Sequence, residues 1–215
     1  MIEGLVEHFY AGNNRLSGLL GNADNLDFFA DLYLAAFDSS GTMLISKKIN
    51  DAINQQIGNE FGASLQYVAI ATHFDCDALP QLAAHFYQQA EEERDHAMRF
   101  VKFLVETDAN VVIPAVKAPK VKFASAEEAV KLSLSWELEV TDQIHRLVEL
   151  AKKEMNYTTD NFLQWFVKEQ LEEVSSMDNL LKVLQRAGES GLLRVEEYLA
   201  RKPGHKGAAE TASET

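Results

Sequence analysis

Apolar residues recur at helical spacing through four long stretches of the chain. From about Lys47 to His73, the residues Ile49, Ile53, Ile57, Phe61, Val68 and Ala71 mark one face of a first helix. A second opens at Pro80, a favoured first helical position, and runs to about Asp108 through Leu82, Phe86, Ala90, Ala97, Phe100 and Leu104. A third begins at the capping-box pair Ser125 and Glu128 and runs to about Glu154. A fourth extends from near Thr159 to about Ala187, where Gly188 and Gly191 stop it. A short fifth is predicted over Leu192 to Arg201. Strand signal is confined to Val111–Ile113, so the fold class is all-α.

Connection lengths then predict the topology. About six residues join the first two helices and about four join the third and fourth, so each pair forms an antiparallel hairpin. Between the second and third lie roughly sixteen residues, Ala109 to Ala124, with Pro114 and Pro119 among them. At about 3.3 Å per extended residue this segment reaches roughly 50 Å. A helix of about 28 residues spans only about 42 Å. The segment can run the whole length of the hairpins, which predicts a four-helix bundle with one long crossover between helices 2 and 3 and a short C-terminal fifth helix.

Residues 47–201 form the predicted bundle domain. Before it, residues 1–46 are Gly- and Asn-rich and then carry a short apolar run, Leu26 to Phe37; they read as an extension of one or two short helices, or as upstream sequence with the true start at Met43. Residues 202–215 are small and polar and read as a disordered tail.

Each long helix places an acidic residue inside its own apolar stripe. Glu60 lies among Ile57, Ser64 and Tyr67, and Glu93 follows Phe86 and Ala90 with His96 one turn on. Glu137 sits among Leu134, Thr141, Ile144 and Val148, and Glu173 among Phe166, Gln170, Met177 and Leu180. In a bundle these stripes converge on one core. Burying a lone carboxylate costs several kcal/mol, and gathering four adds like-charge repulsion. Either they are protonated or cations neutralise them, and two divalent ions would cancel the four charges. One Glu on each of two helices, with Glu-x-x-His or a relative on the others, is the ligand pattern of carboxylate-bridged di-iron bundles. Oxygen-rich ligation with a single imidazole suits iron or manganese.

Charge and composition narrow the partners. Asp and Glu number 33 against 20 Lys and Arg, a net charge of −13. That balance favours cations over nucleic acid or an anionic membrane surface. The single cysteine, Cys76, excludes an internal disulfide and any CxxC site, and it fits the reducing cytoplasm. Its place at a helix–helix turn reads as a small apolar filler. No apolar run of about 18 residues spans a bilayer. Glu3 and Glu7 stand where a secretory signal would carry Lys or Arg.

Four segments, NEFGASLQY (59–67), EEERDHAM (91–98), WELEVTDQI (136–144) and FLQWFVKEQLEEV (162–174), resemble the non-haem bacterial ferritins in order and spacing. The resemblance covers about Met43 to Arg201. It implies a ferritin-like bundle whose ferroxidase centre takes Glu60, Glu93 and His96 as the first iron site, with Glu93 bridging to a second completed by Glu137 and Glu173. Gln170 resembles the supporting amide, and Tyr67 the neighbouring tyrosine that hydrogen-bonds beside the centre and donates an electron. Glu92, Glu169, Glu172 and Glu173 match a third iron site of some members. The resemblance further implies a homo-oligomeric cage of 24 subunits that oxidises Fe(II) with dioxygen or peroxide and stores it as ferric oxide. The alternative is a small di-iron oxidase or peroxide scavenger without storage.

Departures from related families bear on the cofactor. Bacterioferritin carries a haem-ligating methionine after the bridging Glu, where this chain has Arg94, so no haem is expected. Met98 and Met177 lie at core spacing and read as gap-fillers. Rubrerythrin needs CxxC pairs, and ribonucleotide-reductase-like proteins a second Glu-x-x-His where this chain has Gln170 to Glu173. Asp142 and His145 read as an exposed pair, and His8, His73, His85 and His205 receive no role.

Overall fold

The computed structural model describes residues 44–201. The predicted extension, apart from residues 44–46, and the predicted tail lie outside the described residues. Four long helices, α1 (Lys47–Cys76), α2 (Pro80–Glu106), α3 (Ala126–Lys153) and α4 (Tyr157–Ala187), are followed by a 3-10 turn at Glu189–Gly191 and by α5 (Leu192–Arg201). The all-α bundle with a short last helix is as expected, and Val111–Ile113 forms no strand.

Side-chain caps start three of the long helices. Ser46 accepts from the Ile49 amide, Ser125 from Glu128 and Asn156 from Thr159. The Asn156 cap sets the start of α4 at Tyr157, two residues before the predicted Thr159. Glu128 completes its box one residue out of register, accepting from the Ala124 amide. α1 continues three residues past the predicted His73, which shortens the turn before α2 to residues 77–79.

Ala78, Asp108 and Met155 take left-handed conformations with φ of 56°, 53° and 53° just beyond α1, α2 and α3. The next amide reaches back in each case, Leu79 to Phe74, Ala109 to Leu104 and Asn156 to Ala151. These are Schellman endings made without glycine. α4 stops at Gly188, whose φ is +63°.

The crossover runs alongside α1 for its whole length. Asn54 donates to the Asn110 carbonyl and accepts from the Val112 amide, at 2.8 and 2.7 Å. Gln66 pairs in the same two-way manner with Lys120, both bonds 2.8 Å. Between them Gly58 passes under Pro114, where a β-carbon would stand 2.3 Å from the proline Cγ. Further along, the His73 and Phe123 rings lie 5.2 Å apart. Side-chain amides thus satisfy the backbone of an extended strap that has no sheet partner.

The buried side chains form two apolar clusters. One, around Phe74, Phe86 and Leu180, lies toward the α1–α2 turn; the other, around Ile53, Phe100 and Phe166, lies toward the α3–α4 turn. α5 closes the first end. Its buried Glu196 accepts from the Gln81 and Leu82 amides at 2.7 and 2.9 Å, capping the start of α2 from outside.

Three expectations of core placement fail. Val68 is 41% exposed, because Tyr67 occupies the core position of that turn and its neighbour points about 100° away. Met98 is 44% exposed for the same reason beside buried Ala97, whereas Met177 is fully buried as predicted. Cys76, in the last turn of α1, is exposed and fills nothing.

Candidate metal centre

A polar layer separates the two apolar clusters. Each long helix contributes to it: Glu60 and Tyr67 from α1, Glu93 and His96 from α2, Glu137 from α3, and Gln170 and Glu173 from α4, none more than 3% exposed. The stripe positions read from sequence therefore do converge. Glu60, Glu93 and His96 form the tightest group, each offering one ligand atom, with all these atoms within 4.8 Å of one another. His96 Nδ1 faces a Glu93 oxygen at 3.4 Å, and its ring stands edge-on to Trp165 and Phe166, which fixes its plane.

Glu137 and Glu173 lie outside that tight group but act on it electrostatically, since both raise the proton affinity of Glu93. The Tyr67 hydroxyl donates to Glu137, and Gln170 also hydrogen-bonds it while accepting from Thr141 at 2.9 Å.

The layer is under-satisfied as built. Both Glu93 oxygens, one oxygen each of Glu60, Glu137 and Glu173, and His96 Nδ1 have no hydrogen bond among the described residues. Buried polar atoms are rarely left so. Burial pushes Glu60 and Glu93 well above the ordinary carboxyl value of 4.5, and neighbouring negative charge pushes the same way. Burial raises Glu137 to about 7, against the opposing effect of the Tyr67 hydrogen bond. Burial and the charges of Glu137 and Glu92 raise Glu173 to about 8. Burial, then Glu137, raises the Tyr67 phenol. Without cations the layer therefore holds protons near neutral pH, and those protons leave when metal enters.

Glu92 and Glu169 are half-buried and Glu172 is exposed. Burial raises Glu169, and the nearby charges of Glu172 and Glu92 add to it. A cavity of about 530 Å³ between α2 and α4 is lined by Glu92, His96 and Glu169, with the Arg99 guanidinium 3.9 Å over the Trp165 ring. It joins this outer acidic group to the buried layer. Asp142 and His145 are exposed, as expected, and so is Arg94. His73 packs against Phe74 and Phe123.

Sequence reading missed Gln56, which is buried and donates to Glu60 Oε1 at 2.9 Å. The available signal was its place on the Ile53–Ile57–Glu60 face, one turn before the acid.

A bundle with one long crossover and a buried carboxylate–imidazole layer defines the class of ferritin-like proteins. The Ferritin-like domain family matches residues 50–187. Ferritin BfrB of Mycolicibacterium smegmatis is 44% identical over 168 residues, 78% of this chain and 92% of that protein. The bacterial non-heme ferritin of Staphylococcus aureus is 37% identical over 146 residues, 68% of this chain and 88% of that protein. An open-pore ferritin from Archaeoglobus fulgidus superposes with a TM-score of 0.72 at 34% identity, covering 75% of this chain and all of that one. The chain belongs to the ferritin family, among the bacterial ferritins.

Proposed function

We propose that this protein stores iron, oxidising Fe(II) to Fe(III) with dioxygen or peroxide at a paired site and keeping the product as ferric oxide inside a 24-subunit cage. The observation that carries this reading is the buried Glu60–Glu93–His96 group, with its unsatisfied ligand atoms, in a chain of the ferritin family. In this reading Glu60, Glu93 and His96 hold the first iron. Glu93 bridges to the second, held by Glu137 and Glu173. Tyr67 and Gln170 steady Glu137, and Tyr67, hydrogen-bonded to that ligand, is the electron donor. Glu92, Glu169 and Glu172, with Glu173, form a third position on the side of the α2–α4 cavity.

Each Fe(II) gives one electron. A pair therefore takes dioxygen and two protons to hydrogen peroxide, or hydrogen peroxide and two protons to two waters. The charge gained on each iron is stabilised by carboxylates already in place, in a layer from which water is largely excluded. Assembly is supported by exposed apolar side chains, among them Val105, Ile113, Leu138, Leu171 and Leu193, which suit burial between copies of the chain. We assign the storage unit to residues 47–201 and the protein to the cytoplasm. No helix among the described residues is long and apolar enough to cross a membrane.

The test is to load the apoprotein aerobically with excess Fe(II) and read iron and mass on one chromatographic peak. Many irons per chain in a particle of about 24 chains is the expected result. About two per chain on a small oligomer would move the protein to the oxidase class. Glu93→Ala should lose fast oxidation and keep the fold; an unchanged rate sinks the assignment.

A further inference from the structure

The two helical hairpins hold their terminal carboxylates in matching ways. On one, Gln170 hydrogen-bonds Glu137 and is itself held by the Thr141 hydroxyl. On the other, the Gln56 amide donates to Glu60 Oε1 at 2.9 Å and leaves Oε2 without a hydrogen bond among the described residues. A free carboxamide could turn over and present its oxygen to the carboxylate, which would repel it. Asn59 blocks that turn. Its Nδ2 donates to Gln56 Oε1 at 3.3 Å and to Gln143 Oε1 of α3 at 2.9 Å, while its own oxygen accepts from Gln55 at 3.2 Å. A line of amides thus runs from a cavity of about 430 Å³ between α1 and α3 to the buried acid.

We propose that Gln56, oriented by Asn59, is a positioning residue for the first metal position: it pins one oxygen of Glu60 so that the other is presented to the ion together with Glu93 and His96. The proposal rests on the reading of those three residues as ligands. It is a specific case of a partner behind the ligand setting the ligand's direction, and loss of such partners typically weakens metal affinity by about 10–100-fold.

The experiment titrates full-length apoprotein with Co(II), a visible stand-in for Fe(II), and follows affinity together with the d–d absorption bands. Wild type and Glu93→Ala come first. Cobalt bound by the former and lost by the latter secures the ligand reading, and equal binding by both refutes that reading itself. Gln56→Met keeps the volume and removes the donor. We expect about 10–100-fold weaker binding at the first position with altered bands, an unchanged second position and unchanged helix content and assembly. Wild-type affinity and bands in Gln56→Met overturn the proposal and leave the ligand reading standing. So does equal weakening of both positions, which signals general loosening. Should Gln56→Met fail to fold, Asn59→Ala, at a half-buried position, is expected to give the same spectral change at smaller size. Unchanged bands there also overturn the proposal.

Discussion

Replacing Glu93 by glutamine should favour the metal-free fold more at neutral pH than in acid. Glu93 is 1% exposed, and neither of its oxygens has a hydrogen bond among the described residues. Burial and the charges of Glu137 and Glu173 raise its folded pKa well above the 4.5 of an ordinary glutamate. A group raised on folding contributes fully below its unfolded pKa and loses that contribution as pH rises toward its folded pKa. The cost of keeping such a carboxyl protonated in the fold therefore rises from pH 5 to pH 7, by up to about 1.36 kcal/mol per pH unit. Glutamine is neutral at both, and it keeps the shape. Its own unpaired amide costs the same at either pH and cancels in the comparison. The assay is thermal unfolding of chelator-treated wild type and Glu93→Gln at equal protein concentration, at pH 5 and pH 7. At about 2–4 °C per kcal/mol for a chain of this size, the variant's melting temperature relative to wild type should be several degrees higher at pH 7 than at pH 5. The same difference at both pH values, or a larger one in acid, would refute the reasoning that Glu93 sits in the metal-free fold as a proton-holding carboxyl.

Three other outcomes are expected. Glu137 at about 7 and Glu173 at about 8 must lose protons when a divalent ion binds, so affinity should fall steeply as pH drops from 8 to 6; calorimetry in buffers of different ionisation enthalpy should show proton release, and a pH-independent affinity would contradict it. Gly58→Ala forces a β-carbon to within 2.3 Å of Pro114, so the crossover must lift from α1 at a cost of about 1–3 kcal/mol, read by denaturant unfolding and by faster amide exchange over residues 110–116. Glu196→Gln weakens the two charge-assisted bonds to the start of α2, and about 1–3 kcal/mol of docking should be lost. Proteolytic cleavage near Gly188 should then speed up while the metal layer still binds cobalt.

Much of this protein is legible along the chain because helices and their faces are local. The apolar stripes, Pro80, Ser125 and Gly188 mark the elements to within a few residues. The length of the Ala109–Ala124 segment allows a crossover that spans the bundle. The four acids and His96 were visible as charges at positions that periodicity assigns to the core, a conflict that cations would resolve. Where two neighbours both fit the stripe, as Tyr67 and Val68 do, one-dimensional periodicity could not choose, and the 100° between them decided against Val68.

The sequence by itself determined the all-α class, the hairpin–crossover–hairpin order and the identity of the buried acids, since each follows from spacing within one helix or from chain length. Only the tertiary structure decided what depends on two segments meeting. It drew Glu60, Glu93 and His96 into one tight group and set Glu137 and Glu173 beyond it. It made Gly58 the point where Pro114 crosses, and turned Gln56 from a polar residue on an apolar face into the donor that holds Glu60. It also ended three helices on left-handed residues other than glycine, a strain of roughly 1–2 kcal/mol each that no local propensity predicts and the returning hydrogen bonds offset. Distances across the bundle are set by packing summed over every helix, and a single helix carries no record of them.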